Sequence, residues 1–226
     1  MLGLIALLGA LLFSETLESR NDGDIRHTLG RLIVVMRNPA FATLLIIFSL
    51  LNGTFLAFIS SSSYIYQETF GLSSQVYSYY FAFNALGTLI GPVIYTPLSR
   101  RFKRHAIIVA CFSATILSGI LVYVLGPLRP WAFALCLWPA SIAGSCLRPP
   151  STYLMLGEQQ GDAGSASALI GSFLMFMGSM GMVIMPFGWP NPVRMIGALN
   201  ACLGLTALIS WLELTRKPFL RHIRQL

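Results

Sequence analysis

The residues best suited to chemistry in this chain stand together: Arg148, followed at once by Pro149 and Pro150, inside a long apolar run. A guanidinium in hydrocarbon costs about 2.5–3.5 kcal/mol on insertion scales, so it is expected to face a bundle interior or a watery cavity. Neither proline carries a backbone N–H, so the helix is expected to bend or loosen there, and carbonyls about a turn earlier lose their donors. Two roles follow for Arg148: it contacts an anion or a backbone group in a cavity, or it neutralises the freed carbonyls beside Pro149.

Other candidates lie on neighbouring apolar runs. Asn52, Phe55, Ile59 and Ser63 share one helical face, which suits either an amphipathic ligand cavity or a helix contact. Asn52 and Asn84 could each bind substrate or hydrogen-bond between helices, the latter contributing about 0.6–2 kcal/mol. Phe173, Phe176, Met177 and Met180 form an adaptable apolar stripe, fit for promiscuous binding or for core packing. Acids capable of carrying a proton are absent from the middle of the runs, with Glu68 near one end and Glu213 near the other.

What these residues cannot do narrows the field. Cys111, Cys136, Cys146 and Cys202 lie inside apolar runs without a CxxC pair, and read as packing residues. His27, His105 and His222 stand among cations at run ends and read as solvated flanks. With no metal spacing, His cluster or nucleophile arrangement, neither a cofactor nor enzymatic activity is expected, and an integral membrane enzyme is the weakest functional class.

The elements that must position these residues are membrane helices. Of 226 residues, 55% are hydrophobic and 10% charged, against roughly 25% charged in an ordinary soluble domain. Six stretches are each long enough to span, at about 20 residues per crossing: 41–66, 75–98, 106–126, 131–156, 164–187 and 193–214. Residues 1–13 are apolar but too short, and read as the end of a further helix. Residues 14–40 form a charged connector with a short surface helix before Asn38-Pro39, and residues 215–226 a basic tail. Turns are marked by Gly71 with Ser73 or Ser74 as cap, and by Asn191 as a possible cap. Tyr64, Tyr66, Tyr77, Tyr79 and Tyr80 gather there as an interfacial aromatic belt, and the Gly87-xxx-Gly91 pair suits close helix approach.

The net charge of +7 does not point to nucleic acid, because the cations cluster at run ends rather than along one face. Of the 15 Lys and Arg, 12 fall in the connector, the Ser99–His105 loop and the tail; Arg129 and Arg194 fall on the other side, and Arg148 lies within a run. By the positive-inside rule the connector, that loop and the C-terminus are cytoplasmic, as is the acidic turn 157–163.

The residues also resemble a known family. Phe13-Ser-Glu-Thr-Leu17, Ser60 to Tyr66 with Phe70-Gly-Leu-Ser73, Phe81-Ala-Phe-Asn-Ala-Leu86 and Ala163-Gly-Ser-Ala-Ser-Ala-Leu169 are similar to stretches of the major facilitator superfamily, most closely the bicyclomycin and chloramphenicol resistance group of drug:proton antiporters. The resemblance runs along nearly the whole chain. It departs at Leu98-Ser-Arg-Arg-Phe-Lys-Arg104, where Arg100 and Lys103 replace an aspartate and a glycine of the family's loop motif, and at Arg148, where uncharged polar residues are usual.

The resemblance implies an all-α polytopic bundle of helices seven to twelve, preceded by the end of helix six, from a carrier made of two six-helix halves. It implies proton-coupled multidrug efflux across a bacterial inner membrane, with the proton-carrying acid on an N-terminal half that this chain lacks. Expected partners are small-molecule drugs or metabolites, protons, the bilayer and that other half. A carrier for a specific metabolite or organic anion, with Arg148 on its carboxylate, is one alternative; a truncated, transport-inactive fragment is another.

Overall fold

The computed structural model describes residues 25–159 and 163–216. The expected helix end at 1–13, most of the connector before Ile25, the centre of the 157–163 turn and the tail beyond Arg216 lie outside the described residues.

Every long element described is a helix, with no strand among the described residues. A short helix, α1 (Ile25–Met36), fills the expected place before Asn38-Pro39. The spans follow as α2 (Pro39–Tyr64), α3 (Ser74–Arg101), α4 (Arg104–Leu125), α5 (Pro130–Cys146) continued by α6 (Arg148–Gly157), α7 (Ala163–Ile184) and α8 (Pro192–Leu214). Six of these helical stretches, counting α5 and α6 as one, are long and apolar enough to cross a membrane. The fold is an all-α polytopic membrane bundle.

Local chemistry sets the boundaries. Asn38 caps α2, its Oδ1 accepting from the Ala40 amide at 3.0 Å, with Pro39 in the first turn where no donor is needed. The span therefore begins slightly earlier than the apolar run suggests. At its far end the serine run bonds inward: Ser60 and Ser61 donate to the Ala57 carbonyl at 3.0 and 2.7 Å. The chain then closes in a π-helical turn, Ile65–Thr69. Gly71 takes φ +67°, a left-handed conformation that L side chains rarely adopt, and Ser73 caps α3. Asn191 caps α8, accepting from the Arg194 amide at 3.1 Å.

One loop is shorter than expected. The Ser99–His105 segment is largely helical: α3 runs through Arg101, the Phe102 amide donates to Leu98 O at 2.9 Å, and α4 begins at Arg104. Cations at the end of α3 complement the helix dipole, so the basic cluster extends the helix instead of unwinding it.

Three helix pairs are joined through glycines that allow the backbones to approach. On α3, Gly87 and Gly91 face α5, where Trp138 Nε1 donates to Phe83 O at 3.1 Å. On α2 and α7, Gly181 meets the Gly53 backbone, and Gly178 meets the Leu56 and Asn52 side chains. On α4 and α8, Gly119 meets Gly197, so close that a β-carbon on Gly119 would lie 2.7 Å from the Gly197 carbonyl oxygen. Helices in lipid gain little from apolar burial against one another, so such close packing carries much of their association.

Two apolar clusters occupy the bundle. One, containing Phe41, Phe112 and Trp211, lies toward the end bearing Arg101 and Arg104. The other, containing Phe58, Tyr66 and Phe133, lies toward the opposite end. Tyr66 belongs to this second core and not to a lipid-facing belt: it is fully buried and stacked on Tyr80 at 5.1 Å, whereas Tyr64 and Tyr79 are exposed. His105 is likewise no solvated flank, since its Nδ1 accepts from Trp211 Nε1 at 3.1 Å and the rings stack.

Candidate functional site: a cavity between two cores

Between the two apolar clusters lies a cavity of about 380 Å³. Phe48 and Leu51 close it on one side, Phe58 and Leu137 on the other. The six spans all contribute: Thr88 and Pro92 come from α3, Thr115 from α4, Ile170 and Leu174 from α7, and Asn200 from α8. The volume falls in the range of small-molecule sites, about 300–1,000 Å³.

Arg148 lines this cavity at the junction of α5 and α6. Arg148 stands inside the 28-residue span Pro130–Gly157, nine residues before its end, and so away from either terminus of the membrane helix. The double proline follows a one-residue break between α5 and α6 at Leu147, and the span does not unwind there. Leu147, φ −74° and ψ −20°, donates to Ala143 O at 3.0 Å, and the ladder resumes when the Ser151 amide donates to Leu147 O at 3.0 Å.

The Arg148 side chain is exposed, and among the described residues it makes no hydrogen bond or ion pair. It is therefore not spent on carbonyls freed by Pro149. Ser151 Oγ donates instead to the Arg148 carbonyl at 3.0 Å.

The remaining polar lining is mostly hydroxyl. Thr88 donates to Ala85 O at 2.7 Å, Thr115 to Cys111 O at 3.0 Å and Thr54 to Leu51 O at 2.9 Å. Each spends its proton on its own helix and keeps oxygen lone pairs for an outside donor. Thr152, one turn after Arg148 on the same face, has no partner among the described residues. Among the described residues no Asp or Glu lines the cavity, and Arg148 is the one formal charge on it.

The expected site residues divide. Asn52, Phe55 and Arg148 line the cavity. Asn52 also serves the packing role, its Nδ2 donating to the Leu174 carbonyl on α7. Ile59 and Ser63 do not line it: Ile59 packs on the second core, and Ser63 is exposed and accepts from Gln67 Nε2 at 2.6 Å. The cavity face of α2 runs from Phe48 and Ser49 through Asn52 and Phe55 to Phe58, and stops short of Ser63.

Asn84 is buried outside the cavity. Its Nδ2 donates within its own helix to Tyr80 O at 3.2 Å, and its Oδ1 has no partner. On α7 the lining residues are Ile170 and Leu174. Phe173 instead packs against the first core, and the Met177 carbonyl faces Gly53. Phe176 and Met180 are exposed.

A family model, that of the Major Facilitator Superfamily, matches residues 1–182. The chain belongs to the major facilitator superfamily. It is also 27% identical over 213 residues to the "Uncharacterized MFS-type transporter YdgK" of Bacillus subtilis (strain 168), an alignment covering 91% of this chain and 51% of the relative. The chain thus spans about half the length of that curated relative.

Sequence reasoning passed over several lining residues of this superfamily bundle. Ser141, Ser145, Arg148 and Thr152 follow one another at helical spacing along the α5–α6 span, and all line the cavity. That hydroxyl stripe leading to Arg148 is visible in the sequence. Thr88 and Pro92 carry no comparable signal, because α3 meets the cavity with only these two residues.

Proposed function

We propose that this chain supplies the C-terminal six-helix half of a secondary active transporter that moves small organic molecules, drugs among them, by alternating access. A transporter of this kind carries out no bond chemistry on its substrate. The supporting observation is the cavity of about 380 Å³ at mid-span, to which every membrane helix contributes. A mixed surface of phenyl rings, methyl groups and hydroxyl oxygens holds amphipathic molecules without demanding one shape.

On this reading the substrate sits near the midplane between this half and a second six-helix half, and the two rock about it. The coupling ion is the proton. With no carboxylate among the described residues that line this cavity, the reading assigns the proton-carrying acid to the other half. The carrier lies in a bacterial inner membrane with the connector, the 99–105 segment and the C-terminus in the cytoplasm, the side favoured by the charge asymmetry.

A susceptibility panel tests this. Cells carrying the complete gene should tolerate several chemically distinct compounds better than cells lacking it, and a protonophore should abolish the difference. No change for any compound, combined with no substrate movement by the purified carrier in vesicles, would remove the efflux reading.

A further inference from the structure

We infer that the preferred substrate of this cavity is an organic anion, with a carboxylate seated on Arg148 and an apolar body lying against Phe55 and Phe58. This rests on the proposal that the cavity is the substrate site. Three observations on the lining converge.

First, Arg148 is the one formal charge on the cavity among the described residues, and a guanidinium stays protonated at any physiological pH. Second, nothing among the described residues neutralises it: it has neither an ion pair nor a hydrogen bond, although carbonyls relieved of their donors by Pro149 and Pro150 lie about one turn away. An uncompensated cation with low-dielectric walls concentrates anions and repels organic cations. Third, Thr152 stands one turn from Arg148 with an unengaged hydroxyl, so a carboxylate could accept from the guanidinium fork and from that hydroxyl together.

The other lining hydroxyls, already donating to their own helices, present acceptor oxygens. They therefore suit donor groups on the substrate body better than a second anion.

The test uses three probes of one shape and different charge: cinnamate, cinnamamide and cinnamylamine. Their binding to the carrier made from the complete reading frame is measured in phosphatidylcholine vesicles, which contain no anionic lipid. Cinnamate should bind about ten- to a hundredfold more tightly than the amide, as expected for hydrogen bonds to a charged group, and the amine should bind most weakly. Arg148→Gln should abolish the preference for cinnamate over the amide, with circular dichroism and gel filtration of the variant showing that it is folded. Arg148→Lys should keep part of the preference.

Equal binding of acid and amide by the unaltered carrier would overturn the charge assignment and leave the cavity as a site. The same holds if the acid preference survives Arg148→Gln. An acid preference erased by adding phosphatidylglycerol would give Arg148 to a lipid headgroup and overturn the proposal. Absence of binding by all three probes would overturn the cavity as a substrate site as well.

Discussion

Gly91 on α3 and Cys146 at the end of α5 meet with no room between them: a β-carbon built on Gly91 would lie 2.7 Å from the Cys146 amide nitrogen and 2.7 Å from the Ile142 carbonyl oxygen. Both are backbone atoms, so the contact cannot be relieved by turning a side chain. Gly91→Ala should therefore push α3 away from α5 and destabilise the bundle by about 1–3 kcal/mol, the usual range for overpacking. Gly144, on α5 as well, has nothing within 4 Å of its would-be β-carbon. Gly144→Ala should leave stability unchanged or slightly raised, since alanine is the better helix former. Thermal unfolding of the two variants in detergent checks the contrast; equal melting temperatures would contradict the close α3–α5 approach.

A second relationship ties α1 to the end of α6. Asn38 Nδ2 donates to Glu158 O at 2.9 Å, and Gln159 Nε2 donates to Val35 O at 3.1 Å. Two side chains from sequence-distant segments thus each hold the other segment's backbone. Asn38 has a further task, because its Oδ1 caps α2. Asn38→Ala should cost about 0.5–2 kcal/mol from the lost cap, in addition to the clasp. Gln159→Ala should remove the clasp alone and cost less. Hydrogen exchange should report faster opening around Val35 in both variants, and around Ala40 and Phe41 only in Asn38→Ala. Unchanged exchange at Val35 in both would show that the clasp does not hold α1.

What the sequence disclosed follows from the physics of each signal. The spans were legible because hydrocarbon demands long unbroken apolar helices, and the caps at Ser73 and Asn191 because short polar side chains precede each run. Arg148 stood out because a charge at that depth is costly. The direction of the α2 cavity face was not legible: Asn52 and Phe55 fit a face extending either way, and only the packing of Ile59 into the second core decides it. Tyr66 misleads for a related reason, since a tyrosine at a helix end reads as interfacial until Tyr80 and Phe133 are seen to enclose it. Asn84 and Met177 carry the residue types of a binding site, but helix rotation turns them elsewhere, and rotation is set by the glycine contacts of neighbouring helices.

The break between α5 and α6 at Leu147 should control how Arg148 is presented. Proline at 149 and 150 removes the amides that would otherwise close the helical ladder across this point, and the half-buried Pro149 and buried Pro150 are held by packing. Replacing both with alanine restores two donors and permits a straighter α5–α6 span. The helix itself should survive, since alanine is a strong helix former. What should change is the environment of position 148. In a carrier whose native cysteines, the four of this chain included, have been replaced, Arg148→Cys should react readily with a water-soluble maleimide, because this position opens into the cavity. Adding Pro149→Ala and Pro150→Ala should slow that labelling severalfold while leaving the circular dichroism of the helices unchanged. Labelling at an unaltered rate would mean that the neighbouring helices, and not the prolines, set the orientation of position 148. Circular dichroism provides the needed separation, because loss of helix would mark a folding failure and a change in labelling alone would mark a reoriented position 148.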